Sequence, residues 1–222
     1  PFRQIPDSLE FQLVRARLSA QESNPREVVA NFDRMIEARK FGTEAAARYG
    51  LVVALLRVGD KARARKEMAL LQGLNVKSPM IDALGAQTLI AVGEIEKGLA
   101  SYREALRANP NRTALIYGYV DALFAANRAA DAVKFLDGRT DGRPADPKLY
   151  EFQARAYSAL GKRLMEHRAL AEVYALQGNF PAAIEQLQIA QKAGDGDFYQ
   201  KSSVEARLKE LMAVDAENRR KP

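Results

Sequence analysis

The sequence predicts an all-α protein, a solenoid of about twelve helices paired as antiparallel hairpins. Three observations predict this fold class. The 222 residues include only 14 Gly and 9 Pro and are rich in Ala and Leu, which are strong helix formers. Turn-forming residues recur at a fixed spacing along the chain. Apolar residues recur at helical spacing on both sides of each turn.

The turn residues set the period of the repeat: Gly59, Gly93, Asn127 and Gly161 are each separated by 34 residues. Small residues around each turn let two helices cross closely, and large residues fill the space between hairpins. The small positions hold Val52, Ala86, Val120, Ala154, Ala64, Gly98 and Ala132; the large positions hold Leu55, Leu89, Leu123, Tyr157, Met68, Tyr102 and Leu136. This pattern resembles the tetratricopeptide repeat.

The repeat extends in both directions from this central region. Upstream, Ser23 takes the position of a turn residue. Downstream, Gly178 follows Gly161 by only 17 residues, which is half a repeat. We therefore expect the helix over 162–177 to be the second helix of one hairpin and the first helix of the next.

Apolar periodicity and capping residues give the limits of the helices. Asn24 before Pro25 and Ser78 before Pro79 are typical helix starts. The predicted helices are 7–22, 25–40, 43–58, 60–72, 78–92, 94–108, 112–126, 128–137, 146–160, 162–177, 181–193 and 197–217, the last being a C-terminal capping helix. The stretch 137–146 is predicted to be the longest loop. We expect a single solenoid over 1–222, with a subdomain boundary at 137–146 as the alternative.

The composition excludes most enzyme classes. The protein has no Cys and a single His, so it lacks cysteine nucleophiles, Cys/His zinc sites and most histidine acid–base chemistry. We expect no catalytic, cofactor-binding or metal-binding residues in this chain, and His167 is predicted to be structural. The run Asp195, Gly196, Asp197 is better explained as a helix stop and a following N-cap than as a calcium loop.

The net charge of +6 is spread along the sequence, apart from one cluster formed by Arg57, Lys61, Arg63, Arg65 and Lys66. A solvated helix face is the commoner role of such a cluster, so nucleic acid is not an expected partner. Binding to nucleic acid or another anionic surface remains an alternative function, as does a free-standing repeat scaffold. No apolar run approaches the roughly 18 residues that a membrane-spanning helix needs.

The first helix of each hairpin is expected to line the concave side of the solenoid. The predicted partner-binding groove consists of Tyr49, Val53, Leu56, Met80, Gln87, Ile90, Tyr117, Asp121, Phe124 and Arg155. Its aromatic and aliphatic members would expose a contiguous apolar surface, which favours binding of a protein or peptide segment. The alternative is that tight curvature buries some of them. The Lys and Asn residues with which some tetratricopeptide domains clamp a C-terminal carboxylate are absent.

Two regions carry a narrower resemblance: the opening PDSLEFQLVRARL, and the stretches HRALAEVYALQGNFPAAIEQLQIA and DFYQKSSVEARLKEL. They resemble the C-terminal repeat region of bacterial periplasmic zinc metallopeptidases, the group that includes the beta-barrel assembly-enhancing protease. The resemblance implies a periplasmic location; otherwise the protein would be cytoplasmic. It also implies a non-catalytic role in quality control of outer-membrane proteins. The partners would be clients, the outer-membrane assembly machinery, or the protein's own peptidase domain. Zinc would belong to that domain, since no H-E-x-x-H occurs here.

Overall fold

The computed structural model describes residues 8–140 and 146–219, which form twelve α-helices and no strands. The helices are α1 (Leu9–Ser19), α2 (Pro25–Glu37), α3 (Glu44–Val58), α4 (Lys61–Gly73), α5 (Pro79–Ala91), α6 (Ile95–Ala108), α7 (Thr113–Ala125), α8 (Ala129–Thr140), α9 (Pro147–Ala159), α10 (Arg163–Leu176), α11 (Phe180–Lys192) and α12 (Phe198–Asn218). The predicted all-α fold class is confirmed. None of these helices combines the length and apolar composition needed to cross a bilayer.

Capping residues explain where several helices begin. The Asn24 and Ser78 side chains accept hydrogen bonds from backbone N–H groups of the first turns of α2 and α5, and Pro25 and Pro79 follow them as predicted. At α12, Asp197 and Gln200 form a reciprocal capping box. The prediction that Asp197 is an N-cap is therefore confirmed.

Five of the six predicted turn residues share one backbone conformation, whereas Ser23 does not have a positive φ. Gly59, Gly93, Gly161 and Gly178 have φ values of 81°, 91°, 68° and 75°, and Asn127 has a φ of 56°. This left-handed conformation ends a helix, and Gly and Asn adopt it at the lowest steric cost. The fixed spacing of the turns is thus the spacing of left-handed helix ends.

Contacts between the helices divide the protein into two compact units. Unit 1 ends at Ala125 and contains α1 to α7, whereas unit 2 begins at Ala126 and contains α8 to α12. The alternative boundary at 137–146 lies inside unit 2 and partly outside the described residues. Helix α8 was predicted to end at residue 137, but it continues to Thr140. The single-solenoid organisation stays a prediction.

In unit 1, the successive helices from α2 to α7 pack against one another, and the odd-numbered helices also pack against one another from α1 through α3 and α5 to α7. The core of unit 1 contains the small and large residues that recur around each turn. Those that are buried include Val52, Leu55, Ala64, Met68, Ala86, Tyr102, Val120 and Leu123. Because α1, α3, α5 and α7 lie side by side, their inner faces form one continuous wall.

In unit 2, α10 packs extensively against both α9 and α11. The expected role of α10 in two successive hairpins stays a prediction, because α3 likewise packs against both of its neighbours in sequence. The core of α10 to α12 contains Leu164, Ala171, Ala183, Leu187, Ala190, Val204, Leu208 and Leu211. Ala171 and Ala183 have no exposed surface, so α10 and α11 cross closely there.

Candidate partner-binding site

The inner wall of unit 1 encloses a cavity of about 500 Å³, called here the unit 1 cavity. Helices α1, α3, α5, α6 and α7 all contribute to it. Its lining consists of Arg17, Tyr49, Ala83, Leu84, Gln87, Ile90, Ala91, Tyr102, Ala114, Tyr117, Gly118, Asp121, Ala122 and Ala125. Five of the ten residues predicted for the groove therefore line one cavity.

An ion pair in unit 1 connects the first helix to the residue just before the last helix. The Arg112 guanidinium, just before α7, donates a hydrogen bond from Nη2 to Oε1 of Glu10 in α1 at 3.2 Å. These two residues are 102 positions apart in the sequence. The cavity is consequently bounded by α1 on one side and α7 on the other.

The packing around Tyr49 corrects the expectation that this residue is an exposed anchor. Tyr49 is only 1% exposed and belongs to the same buried cluster as Leu13 of α1. Burial raises the pKa of the Tyr49 hydroxyl, and the nearby Arg17 guanidinium opposes this rise by its charge and by a hydrogen bond. Tyr49 thus forms part of the floor of the cavity and contributes its side chain mainly to the core.

Five other groove residues lie away from the unit 1 cavity, so the contiguous apolar surface is smaller than predicted. Val53, Leu56 and Met80 are half-buried because they pack against the buried core clusters. Phe124 is half-buried and lies outside the cavity lining. Arg155 is in unit 2, where it lines a shallow surface cavity of about 400 Å³.

The remaining predicted residues present a mixed surface to the unit 1 cavity. Gln87 and Ile90 are three residues apart in α5, and Tyr117 and Asp121 are four residues apart in α7, so each pair shares a helix face. Gln87 and Asp121 are exposed, whereas Ile90 and Tyr117 are half-buried. The role of these residues in binding stays a prediction.

Nine residues of the cavity lining were not predicted as site residues, and two of them, Tyr102 and Gly118, pack closely against each other. Tyr102 was expected only to fill space between hairpins; it is 3% exposed and also lines the cavity. A Cβ atom at Gly118 would lie 2.5 Å from the Tyr102 hydroxyl oxygen, so only glycine leaves room for this side chain. The available signal was the glycine itself, because glycine inside a helix costs about 1 kcal/mol relative to alanine.

Charges of opposite sign flank the aromatic residues of the unit 1 cavity. Burial raises the pKa of Tyr102, the Asp121 carboxylate raises it further, and the Arg17 guanidinium opposes both effects. Arg17 and Asp121 are thus both close to Tyr102, and both are exposed. The cavity offers an apolar interior with a cation on α1 and an anion on α7.

His167 and Asp195 both form hydrogen bonds within unit 2. Nδ1 of His167 lies 2.8 Å from Oε1 of Gln186, which links α10 to α11. The Asp195 carboxylate accepts a hydrogen bond from the backbone N–H of Leu164 at 3.0 Å and so caps the start of α10. Among residues 8–140 and 146–219, no group of three or more His, Cys, Asp or Glu side chains is placed to hold a metal ion.

Three members of the basic cluster connect helices within unit 1. The Arg57 guanidinium donates hydrogen bonds to the backbone carbonyls of Ala20 and Glu22 after α1. Arg63 pairs with Asp33 of α2 at 2.9 Å, and Arg65 pairs with Glu94, just before α6, at 2.6 Å. These side chains therefore have partners within the fold.

Comparisons with known proteins agree with this architecture. Residues 89–156 match the model of a tetratricopeptide repeat family. No curated protein sequence matches this one. The C-terminal part of a repeat-containing protein from Cytophaga hutchinsonii is 14% identical, with a TM-score of 0.60 over 91% of this chain and 80% of that one. A tetratricopeptide repeat protein from Parabacteroides merdae is 13% identical, with a TM-score of 0.55 over 95% of this chain and 88% of that one.

A third structure is YrrB, described as a tetratricopeptide protein with an unusual peptide-binding site. It is 14% identical, with a TM-score of 0.51 over 82% of this chain and 93% of that one. Identities this low show the fold alone. The protein has a tetratricopeptide-like helical-repeat fold.

Proposed function

We propose that unit 1 binds a partner polypeptide that inserts one or two large apolar side chains into the unit 1 cavity. The observation that carries this proposal is the convergence of Tyr49, Gln87, Ile90, Tyr117 and Asp121 on one cavity of about 500 Å³. Cavities of roughly 300–1,000 Å³ with apolar linings and a few polar groups are typical ligand sites. The volume suits side chains of a bound segment better than a whole folded element.

The two opposite charges that flank the cavity favour one orientation of the bound segment. Arg17 on α1 favours an acidic residue of the partner, and Asp121 on α7 favours a basic one. An apolar residue between them would contact Tyr117 and Ile90. We therefore expect the preferred sequence to carry an acidic residue and a basic residue on opposite sides of an aromatic or aliphatic residue.

Selection from a random peptide library displayed on phage, with the full 222-residue protein as bait, tests this proposal. The expected result is an enriched sequence with the acidic–apolar–basic order. Replacing Tyr117 by Ala should weaken binding of the selected peptide about tenfold or more, because truncation of an aromatic anchor typically costs roughly 2 kcal/mol. Fluorescence anisotropy of the labelled peptide measures this loss.

Phe11→Ala is the matched control, because Phe11 is a 52% exposed aromatic residue of unit 1 that lies outside the cavity lining. This variant should bind the selected peptide as the wild type does. Asp121→Lys should reverse the preference for the basic residue without changing the preference for the apolar one. Equal affinities of the Tyr117→Ala and Phe11→Ala variants for the peptide would contradict the proposal.

We further propose, from the resemblance to periplasmic zinc metallopeptidases, that this protein assists a zinc peptidase domain in the quality control of outer-membrane proteins. A feature of unit 2 favours such a docking role. Phe198 and Tyr199 begin α12, stand 79% and 83% exposed, and pack edge to face with ring centroids 6.0 Å apart. Adjacent exposed aromatic residues are typical anchors of protein interfaces.

The translated sequence upstream of Pro1 provides the first test of this second proposal. The expected finding is a signal peptide and an H-E-x-x-H helix. If the motif is present, replacing Phe198 and Tyr199 together by Ala should lower client proteolysis by the full-length enzyme while leaving hydrolysis of a short peptide substrate unchanged. Absence of the motif, or equal proteolysis by the double variant, would contradict it.

A further inference from the structure

Unit 2 contains a second cavity of about 510 Å³, called here the unit 2 cavity, which no part of the proposed function uses. Helices α8, α9, α10 and α12 form it, and most of its lining side chains are polar. They are Asp137, Tyr150, Gln153, Tyr157, Met165, Arg168, Ala169, Glu172 and Gln200. The size and the convergence of polar groups are those of a ligand site.

Both carboxylates of this cavity already have partners. Oδ1 of Asp137 accepts hydrogen bonds from Gln153 Nε2 and from the Tyr157 hydroxyl, each at 3.3 Å. The Glu172 carboxylate accepts two hydrogen bonds from Arg207, at 2.9 Å and 2.7 Å. This bidentate pairing compensates the charge of Glu172 with an arginine outside the cavity lining.

Tyr157 does not provide a negative charge to the cavity. Burial raises the pKa of its hydroxyl to about 12, and the neighbouring Asp137 carboxylate contributes to the rise. The Arg168 guanidinium opposes this effect, which places Arg168 near the tyrosine. At neutral pH the hydroxyl is therefore protonated and cannot serve as a counter-ion for Arg168.

Arg168 is half-buried, and within the described part of the protein it forms no ion pair and no hydrogen bond. Removing a guanidinium from water without a counter-ion is unfavourable, so such a site favours an anionic ligand. Gln200 is also in the lining. Its Oε1 accepts the hydrogen bond of the capping box, and its amide N–H groups remain as donors for a ligand.

We propose that the unit 2 cavity binds a carboxylate group, which Arg168 holds through paired hydrogen bonds. A planar guanidinium matches the two oxygens of a carboxylate. The nearby Asp137 and Glu172 disfavour a doubly charged phosphate more than a singly charged carboxylate. An acidic side chain and the C-terminus of a polypeptide present the same group, and peptides that carry one or the other distinguish these sources.

Methyl NMR of the whole protein with ¹³C-methyl methionine tests the proposal. The sequence has five methionines, of which Met165 lines the unit 2 cavity. Three probes are titrated: acetyl-trialanine with a free C-terminus, acetyl-Ala-Glu-Ala amide, and acetyl-trialanine amide. At least one of the two carboxylate-bearing peptides should shift the Met165 methyl signal in a saturable way, and the neutral amide should not.

Arg168→Gln should weaken binding of the active peptide by about tenfold or more, since a charge-assisted hydrogen bond is typically worth roughly 1.5–3 kcal/mol. Arg163→Gln is the matched control, because Arg163 is exposed on the same helix and lies outside the cavity lining. It should leave the affinity unchanged. An unshifted Met165 signal overturns the proposal, as do equal responses to the neutral amide, stronger binding of inorganic phosphate, or an Arg168→Gln variant that binds normally.

Discussion

The unit 1 and unit 2 cavities are nearly equal in volume, about 500 Å³ and 510 Å³, but their linings differ in chemistry. Tyr49, Ile90 and Tyr117 surround the first with apolar surface. The second contains Asp137 and Glu172 with their hydrogen-bond partners. The small and large residues that recur in each helical repeat determine that cavities form along its inner faces. The variable positions between them determine what each cavity can bind.

A second difference between the units lies in the helices that form each cavity. In unit 1, α1, α3, α5 and α7 pack side by side, and they line the cavity together with α6. In unit 2, the cavity takes residues from α8, α9, α10 and α12. The polar lining of the unit 2 cavity therefore combines side chains from four helices.

The largest expected effect comes from truncating one core leucine in each unit. Leu123 in unit 1 and Leu187 in unit 2 are 1% and 0% exposed. Replacement of either by Ala should lower the free energy of unfolding by about 2–5 kcal/mol because it leaves a cavity. Hydrogen exchange should show the greater loss of protection in the unit that carries the substitution. Equal losses in both units would contradict their separation.

A smaller effect is expected from Gly118→Ala, which adds a methyl group against the Tyr102 hydroxyl. Overpacking of this kind typically costs about 1–3 kcal/mol, and it should also weaken peptide binding to the unit 1 cavity. Gly73→Ala is the control, because nothing lies within 4 Å of a Cβ atom at this position near the end of α4. Chemical denaturation measures both variants. Equal midpoints would show that Gly118 is not needed for close packing.

The turn residues and the buried small and large residues of the repeat could be predicted from the sequence, because each of them follows a local pattern. The spacing of Gly59, Gly93 and Asn127 predicted where helices end, and these three residues adopt the left-handed conformation there. The burial of Tyr49 could not be predicted in this way. It depends on packing against Leu13 of α1 and Ile81 of α5, and no local pattern specifies these contacts.

The polar contacts of unit 2 likewise could not be predicted from local sequence pattern. Arg168 and Glu172 are four residues apart in α10 and therefore share a helix face. Their electrostatic state depends on Asp137 from α8 and Arg207 from α12, which are far away in sequence. Which charged residue is left without an opposite charge is decided by these tertiary contacts.

The smallest expected effect on the free energy of unfolding is confined to alkaline solution. Burial raises the pKa of Tyr49 and Tyr102 in unit 1, and it raises the pKa of Tyr157 in unit 2 to about 12. The folded state therefore favours the neutral phenols. The stability that they contribute is complete below the unfolded pKa of about 10 and is lost as pH rises toward the folded values.

Ultraviolet titration of the eight tyrosines should show late ionisation of these three side chains. Tyr157→Phe should remove one late step and lessen the loss of stability between about pH 10 and 12. Ionisation of all tyrosines near their ordinary pKa, in the folded protein, would contradict the burial of these hydroxyl groups.

Obstruction of the unit 1 cavity tests the central claim most directly. Ala114 is exposed and lines this cavity, whereas Ala100 is exposed on α6 outside the lining. Ala114→Trp should fill the cavity without disturbing the core and should weaken binding of the selected peptide at least about tenfold, whereas Ala100→Trp should leave the dissociation constant unchanged. Unchanged binding by Ala114→Trp, with its fold intact, would contradict the claim that a partner side chain enters the unit 1 cavity.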